Sequence, residues 1–288
     1  MQQYYLIGSP ISHSLSPAMH NLAFSILGID ARYGLCETDL SALSGTVERL
    51  KSENVSGWNV TMPDKQAMCD LCDILSPAAR VSHSVNTVKN VEGTLYGYTT
   101  DGDGFIRAAK ENGFQIESED ITLLGTGGAA VSILIACAFN KAAEIHIFYN
   151  RASSADRIRT VIERLHTAIE GDCEPKITME PLSDEPVLRE RICNTGLLIN
   201  ATNVGMAGSG KESESLLPDL SWLSPDTDVF EAIYNPGKTV LLRQAEEAGC
   251  RYVNGLPMLL YQGAESFRIW TGSEMPVGRI QKEVFDHF

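Results

Sequence analysis

The chain has no uninterrupted apolar run of about 18 residues, the length a helix needs to cross a bilayer, so no membrane span is expected. It is also short of positive charge. Against 37 Asp and Glu stand only 23 Lys and Arg, a formal net charge of −14. Nucleic acid and anionic membranes need a basic surface, so neither is expected as a partner, and the charge serves solubility. No basic segment precedes the first strand-like run, Tyr4-Tyr5-Leu6-Ile7, so no signal peptide is expected and the cytoplasm is the expected location. The seven cysteines, at positions 36, 69, 72, 137, 173, 193 and 250, are odd in number and come without a secretion signal, which argues against disulfides. Cys69 and Cys72 form a C-x-x-C, but Ala67, Met68, Leu71, Cys72, Ile74 and Leu75 recur at helical spacing between Asp64 and Leu75. With no second Cys or His pair nearby to complete a tetrahedral set, they read as buried helix cysteines, and no metal site is expected. Repeats and low-complexity tracts are absent too, and the longest polar stretch, Gly208 to Ser215, reads as a loop.

What is present suits two domains. A chain of 288 residues exceeds what one core usually spans, and 43% hydrophobic residues can fill two. After the strand at 4 to 7, Ser16-Pro17 reads as the N-cap and first-turn proline of a helix. Its apolar positions Met19, Leu22, Ala23, Ile26 and Leu27 lead to a closing Gly28. Tyr33 to Cys36 reads as strand, Asp39 to about Glu53 as helix, and Val55 to Thr61 as strand. Val85 to Val88 and Leu95 to Tyr98 read as two strands around a turn at Asn90 to Gly93. This is an α/β layer with a partly parallel sheet.

A second unit is expected from Gly102. Ile121-Thr122-Leu123-Leu124 is a short apolar strand running into Gly125-Thr126-Gly127-Gly128-Ala129-Ala130, and Val131 to Phe139 continues as an apolar helix. Strands at 144 to 149, 176 to 179, 197 to 200 and 229 to 233 alternate with helices at about 153 to 169, 185 to 193 and 238 to 248, the order of a doubly wound sheet. From Pro257 the chain turns helical again, with a final helix near 276 to 287.

Three groups of residues carry chemistry. In the glycine turn, Gly125 makes the bend, Gly127 lets a pyrophosphate approach the backbone, and Ala130 is the small residue where helix packs on strand. Gly128 and Ala129 then offer amides at the positive end of that helix. The alternative is a packing turn of no binding function. At the next strand tip stand Asn150-Arg151-Ala152-Ser153-Ser154, with no acid before Asp156. An NAD site usually places an acid there, so Arg151, Arg157 and the two serines point to NADP, with NAD an open alternative. Equally, Arg151 could simply begin an exposed helix. The third group is Asn59-Val60-Thr61-Met62-Pro63-Asp64-Lys65, which sets a lone cation after a turn of hydrogen-bonding groups, together with Ser14, Ser16 and Asp101. Two hydroxyls at a helix entry suit a carboxylate, unless Ser16 serves only as the cap. Lys65 is the candidate for moving an alcohol proton as hydride leaves, with Asp101 orienting it. A solvated lysine, and an Asp-Gly turn, are the bland versions of those two residues.

The segments GSPISHSLSPAMHN, NVTMPDK, SVNTV, TTDGDGF, GTGGAA, NATNVGM, IYNPGKT and GLPMLLYQGAESFRIWTG, spanning residues 8 to 272, resemble in order the shikimate dehydrogenase family, which includes quinate/shikimate dehydrogenases. The resemblance implies an α/β substrate domain of residues 1–101 and 256–288, with a Rossmann-like nucleotide domain of residues 102–255 inserted in it. It implies reversible reduction of 3-dehydroshikimate to shikimate with NADP, or oxidation of quinate. A dehydrogenase-like sensor without turnover is the alternative of another class, and retention of Lys65 and Asp101 argues against it. The resemblance makes Lys65 and Asp101 catalytic and sets Ser14, Ser16, Asn59, Thr61, Asn86, Tyr234 and Gln262 around the substrate. Around the cofactor it sets Thr202, Gly255 and Met258. A small ring acid is the expected partner, and the chain is expected to be a monomer or homodimer. Three departures stand out: His83-Ser84 where the family has Gly-Ala, Thr99 where it has Asn, and Ala152 where it has Thr.

Overall fold

Short apolar runs punctuated by glycine and proline bury their strands only under layers of helices, and this chain does so twice. The computed structural model describes residues 1–169 and 174–285, and divides into two compact units. Met1–Gly104 and the described residues from Leu260 on form one, and Phe105–Leu259 the other.

The first unit is built on strands β1 (Gln2–Gly8), β2 (Ala31–Glu37), β3 (Gly57–Val60), β4 (Ile74–Leu75), β5 (Thr87–Val91) and β6 (Thr94–Tyr98), with sheet order β2-β1-β3-β5-β6-β4. The pairs β1·β2, β1·β3 and β4·β6 are parallel, whereas β5 runs antiparallel to both its neighbours. Glu92 and Gly93, at φ 52° and 88°, give the β5–β6 hairpin the two positive-φ residues that its tight turn requires. Helices α1 (Ser16–Leu27), α2 (Leu43–Ser52), α3 (Lys65–Asp70) and α4 (Pro77–Ser82) join the strands. From α2, Leu43, Val47 and Leu50 fall on one face and pack with Ile7, Trp58, Val60 and Val88 into the core.

Several expectations change here. Leu15, not Ser16, is the N-cap of α1, and the Ser14 hydroxyl accepts the Ser16 N–H at 3.2 Å. The expected left-handed Gly28 does close the helix. Helix α2 begins at Leu43 rather than near Asp39, because the Asp39 carboxylate accepts from the Ala42 N–H (3.0 Å) and the Ser41 hydroxyl (2.6 Å) in a turn that delays it. The helical pattern from 64 to 75 is cut at Asp70. The Asp73 N–H donates to the Leu95 carbonyl at 3.0 Å and the Asp73 carboxylate accepts the Leu95 N–H at 2.7 Å, which draws the chain out beside β6 as β4. Helix α4 was not foreseen, although Ser76 caps it through the Ala79 N–H and Pro77 stands at its first turn.

At the end of α4, His83 takes the left-handed position (φ 49°, ψ 49°) that the family fills with glycine. It is half exposed, with Nε2 3.5 Å from Asp70 Oδ1, an exposed contact of little energy. A side chain there costs roughly 1 kcal/mol. The expected outcome for His83→Gly is thus a melting temperature higher by a few degrees with unchanged turnover, and a lowered melting temperature would show that the Asp70 contact matters more.

The second unit has six parallel strands, β7 (Asp120–Leu124), β8 (Glu144–Tyr149), β9 (Lys176–Pro181), β10 (Leu197–Asn200), β11 (Asp228–Glu231) and β12 (Tyr252–Val253), in the order β12-β11-β10-β7-β8-β9. The order reverses between β7 and β10, as in a doubly wound nucleotide-binding sheet. Its helices are α5 (Asp101–Glu111), α6 (Gly128–Phe139), α7 (Ala152–Ala168), α8 (Glu185–Asn194) and α9 (Val240–Glu247); α10 (Leu256–Thr271) starts here and continues into the first unit, which also holds α11 (Val277–Ile280) and the wide turn of π type at Gln281–Phe285. Neither α5 nor the two-residue edge strand β12 was expected from the sequence. Both unit divisions fall inside helices, within α5 and α10. Among the described residues Cys36, Cys69, Cys72, Cys137, Cys193 and Cys250 form no disulfide; Cys173 lies outside them, as do the last residues of the final helix expected near 276 to 287.

Candidate active site

The first unit gathers its polar residues at one edge of its sheet. Strands β1 and β3 are parallel and end there at Gly8 and Val60, β6 ends there at Tyr98, and antiparallel β5 begins there at Thr87. The segments leaving these ends carry Ser14, Ser16, Thr61, Lys65, Asn86 and Asp101. Thr61 continues the pairing of β3, its N–H reaching the Ile7 carbonyl at 3.0 Å.

Lys65 opens α3 and Asp101 opens α5. The Thr-Asp-Gly sequence is a helix start and not the turn that Asp-Gly alone suggests, and Asp101 and Asp103 in the first turn suit the positive end of that helix. Lys65 Nζ lies 2.7 Å from Asp101 Oδ2, with the two side chains 27% and 19% exposed, so the pair is held at the surface and accessible. Asp101 Oδ1 accepts from Asn86 Nδ2 at 2.8 Å. Asn86 in turn fixes Thr100, whose N–H donates to Asn86 Oδ1 at 2.9 Å.

Beneath this pair runs a buried network. Asn59, 7% exposed, accepts from the Tyr33 hydroxyl (2.8 Å) and donates toward the Asn86 carbonyl (3.1 Å), Thr87 Oγ1 (3.0 Å) and Ser266 Oγ (3.0 Å). Thr87 and Ser266 share a hydrogen bond of 2.7 Å, and Ser266 donates to the Gln262 carbonyl one turn earlier in α10. Asn59 therefore has its amide engaged at both ends within the protein, and the network ties β2, β3, β5, α5 and α10 to the placement of Asp101. Tyr33, Thr87, Thr100 and Ser266 were not singled out in the sequence; a serine in an otherwise apolar helical stretch was the only signal for the last. Ser14, Ser16, Thr61 and Gln262 are half-buried around the same edge. Asp64, fully buried next to Lys65, is held above the usual carboxylate range by burial and then by the charge of Asp39.

In the second unit, Gly125 sits at φ 115°, and a Cβ there would come within 2.7 Å of the Ala201 carbonyl oxygen just past β10, so only glycine fits the turn between β7 and α6. Gly127 caps α6, and neither it nor Gly128 has anything within 4 Å of where a Cβ would stand. The N-terminal amides of a helix lack intrahelical partners, and the approach to them past Gly127 and Gly128, ahead of Ala129, is open, a geometry that suits an anion. Asn150 and Arg151 are exposed after β8, and Arg151 is the N-cap of α7. Ser154 is not free to donate to a phosphate, since its hydroxyl already donates to the Arg151 carbonyl at 2.7 Å. Ser153 is exposed, and Arg157 donates to the Thr126 carbonyl in the glycine turn at 2.6 Å.

The segment after β10 is shaped by Asn200, whose Oδ1 accepts from the Thr202 N–H and hydroxyl while Nδ2 donates to Glu231 Oε2 at 3.0 Å. The Thr202 hydroxyl also accepts the Val204 N–H, so Thr202 holds its loop. Glu231, wholly buried, takes donors from Asn200, Thr239 and the Ile233 N–H, yet burial lifts its carboxyl to about 7. Tyr234 is 44% exposed on the segment after β11. Gly255 is buried, with a Cβ there meeting the Ala232 oxygen at 2.1 Å, and Met258 is 8% exposed in α10.

A doubly wound sheet with an open glycine turn, in a chain that folds a separate unit around a lysine–aspartate pair, is the build of a two-domain nicotinamide-dependent dehydrogenase. Residues 6–88 match the model of the shikimate dehydrogenase substrate binding domain, and residues 255–285 that of the shikimate 5'-dehydrogenase C-terminal domain. Shikimate dehydrogenase (NADP(+)) of Listeria monocytogenes serotype 4b is 42% identical over 97% of this chain and 94% of its own. A quinate/shikimate dehydrogenase of Escherichia coli is 40% identical over 97% of this chain and 96% of its own. Among solved structures, shikimate 5-dehydrogenase from Listeria monocytogenes in complex with shikimate and NAD superposes with a TM-score of 0.94 at 40% identity, covering 99% of this chain and 96% of that one. The Thermus thermophilus enzyme in complex with NADP(H) and shikimate gives 0.83 at 31% identity, covering all of both chains. This chain belongs to the shikimate dehydrogenase family.

Proposed function

We propose that the protein is an NADP-dependent oxidoreductase that reversibly reduces 3-dehydroshikimate to shikimate. The observation that carries this reading is the Lys65–Asp101 pair at 2.7 Å, clamped through Asn86 in a chain related over nearly its full length to enzymes of that name. Oxidising the alcohol removes a proton from oxygen and a hydride from carbon. NADP supplies the hydride acceptor when bound. As the neutral amine, Lys65 Nζ takes the alcohol proton and becomes the ammonium, and in the reductive direction the ammonium returns it to the forming alkoxide. Asp101 holds the ammonium in place, and Asn86 fixes the carboxylate by its other oxygen. The hydroxyls of Ser14, Ser16 and Thr61 are the donors for the ring carboxylate, with Gln262 at the same sheet edge and Asn59 under it.

The residues of the second unit fit the cofactor: Gly125, Gly127, Gly128 and Ala129 would hold the pyrophosphate, Asn150, Arg151 and Ser153 the ribose phosphate, and Thr202, Gly255 and Met258 the remainder. The same reading places the enzyme in the cytoplasm as a monomer or homodimer, among the soluble metabolites it draws on. Absorbance at the nicotinamide band with shikimate and quinate, each against NADP and NAD, tests the assignment. Turnover of shikimate with NADP is expected; a folded protein that binds cofactor yet oxidises neither acid is a sensor, not this enzyme.

Quinate is the second reading, favoured by the Escherichia coli relative. Its additional hydroxyl must find a partner near the carboxylate, and one hydrogen bond made or left unmade shifts preference by about 1 to 3 kcal/mol. The cofactor end yields a sharper expectation. Arg151 can meet a 2′-phosphate with a planar fork. In Arg151→Ala, the ratio of kcat/KM for NADP over NAD is expected to fall about tenfold, most of it in the NADP value. An unchanged ratio removes Arg151 from the phosphate site.

A further inference from the structure

At the opposite end of the second unit's sheet from the glycine turn, β7, β8 and β9 begin in register at Asp120, Glu144 and Lys176. Two residues further along, on the same face, stand Thr122, His146 and Thr178. The strand length puts this edge about 13 Å from the turn, so it takes no part in the chemistry described above.

His146 has no exposed surface. Its Nδ1 lies 2.8 Å from Thr178 Oγ1, and Thr178 donates its only hydroxyl proton to Glu180 Oε2 at 3.0 Å. Thr178 must then accept from the ring, which places the proton of a neutral imidazole on Nδ1 and leaves the lone pair on Nε2. That atom faces Asp120 Oδ1 at 3.2 Å and Glu144 Oε2 at 3.4 Å. Yet Nε2 and Asp120 Oδ1 are both buried without a hydrogen-bond partner, as is the hydroxyl of Thr122. Three lone-pair donors pointed at one another repel unless a cation lies between them.

We propose that Asp120, Glu144 and His146 bind a divalent first-row transition ion of the zinc class, clamping the starts of two adjacent strands. Ligand atoms about 2.0 to 2.2 Å from one ion lie some 3.0 to 3.5 Å apart, the spacing seen from Nε2 to each carboxylate. One imidazole and two carboxylates suit Zn²⁺ or Co²⁺, with water in the open positions. The Nδ1–Thr178–Glu180 relay orients the ring, as the outer hydrogen bonds of a ligating histidine do in metal sites. Two cations face the triad. Lys176 Nζ is 2.8 Å from Glu144 Oε2 on a side chain 61% exposed, and swings out as the ion enters, while the charge of Arg191 acts on all three groups. No sequence spacing marks the site, because the register of separate strands assembles it.

The test uses the full chain, stripped with a chelator and then titrated with Co²⁺ followed by visible absorbance and with Zn²⁺ by calorimetry. One equivalent per chain is expected, with a rise in melting temperature. Asp120→Asn and Glu144→Gln, both at partly exposed positions, should each weaken binding at least tenfold while leaving metal-free turnover unchanged. His146→Gln should abolish the Co²⁺ spectrum. Absence of stoichiometric binding shows that a proton closes the triad and overturns the proposal. So does wild-type affinity in both carboxylate variants, which would place the ion elsewhere, for example at Cys69 and Cys72.

Discussion

Lys65→Ala and Asp101→Ala each lower kcat by about two orders of magnitude or more, with circular dichroism and melting close to the parent. The expectation rests on geometry. The lysine amine is 2.7 Å from the carboxylate, and both side chains remain partly exposed at the sheet edge, so their loss opens no cavity in a core. Removing Lys65 takes away the group proposed to move the proton. Removing Asp101 frees the ammonium and leaves Asn86 Nδ2 with Thr100 as its remaining side-chain acceptor. Asp101→Asn sharpens the comparison, since it keeps size and position but discards the charge. It should fall between wild type and Asp101→Ala in kcat, with KM changed less than kcat. A folded Lys65→Ala enzyme of near-parental turnover would remove the lysine from the mechanism.

The lysine and aspartate were legible in the sequence because their segments are distinctive, and the glycine turn because the tight bend at Gly125 can be made by nothing else. What lies beneath them was not. The network joins residues 33, 59, 86, 87, 100 and 266, and only folding brings these together, so periodicity and spacing hold no trace of it. The same reason explains the errors in elements. Helical periodicity from 64 to 75 is real, but pairing with β6 overrides local preference from Asp73 on. Asp-Gly at 101 and 102 reads locally as a turn, whereas acids at 101 and 103 complement the start of a helix whose inward residues Phe105, Ala108 and Ala109 supply the stabilisation. The serines illustrate a finer limit. A Ser-Pro pair signals a helix start, but which of Ser14 and Ser16 bonds the backbone depends on a loop conformation that the pair alone does not set. That matters chemically, because Ser14 can still donate its hydroxyl proton while accepting from the Ser16 N–H, so the two hydroxyls are not equivalent toward a carboxylate.

Trp270→Ala is expected to do the opposite of Lys65→Ala, damaging the fold and sparing the chemistry. Trp270 is 6% exposed near the end of α10. Its ring stacks on Tyr4 with centroids 4.8 Å apart and lies 5.2 Å from His20, while its N–H donates to the Val88 carbonyl at 2.9 Å. Gly57 is bare where the indole rests, since a Cβ there would come within 2.6 Å of Nε1, which shows how closely backbone and ring are fitted. Truncation empties that space and leaves the Val88 carbonyl without its indole donor, at about 3 to 5 kcal/mol, or a melting temperature lower by roughly 10 °C for the unit that holds it. In the intact protein His20 makes the same cluster sensitive to acid. Burial among these rings depresses its pKa to about 3, so the folded state resists a proton that the unfolded chain binds near 6.5. Stability is whole above that value and falls as the pH drops from there toward 3, at up to about 1.4 kcal/mol per unit. Opening the cluster by Trp270→Ala lets water reach His20, raises its folded pKa and flattens this slope. Denaturant midpoints of wild type and Trp270→Ala at pH 7 and pH 5 read both effects: the gap between the two proteins should be large at pH 7 and smaller at pH 5. Parallel pH profiles would mean that His20 stays sealed without the indole, and the explanation of its depressed pKa by this packing would fail.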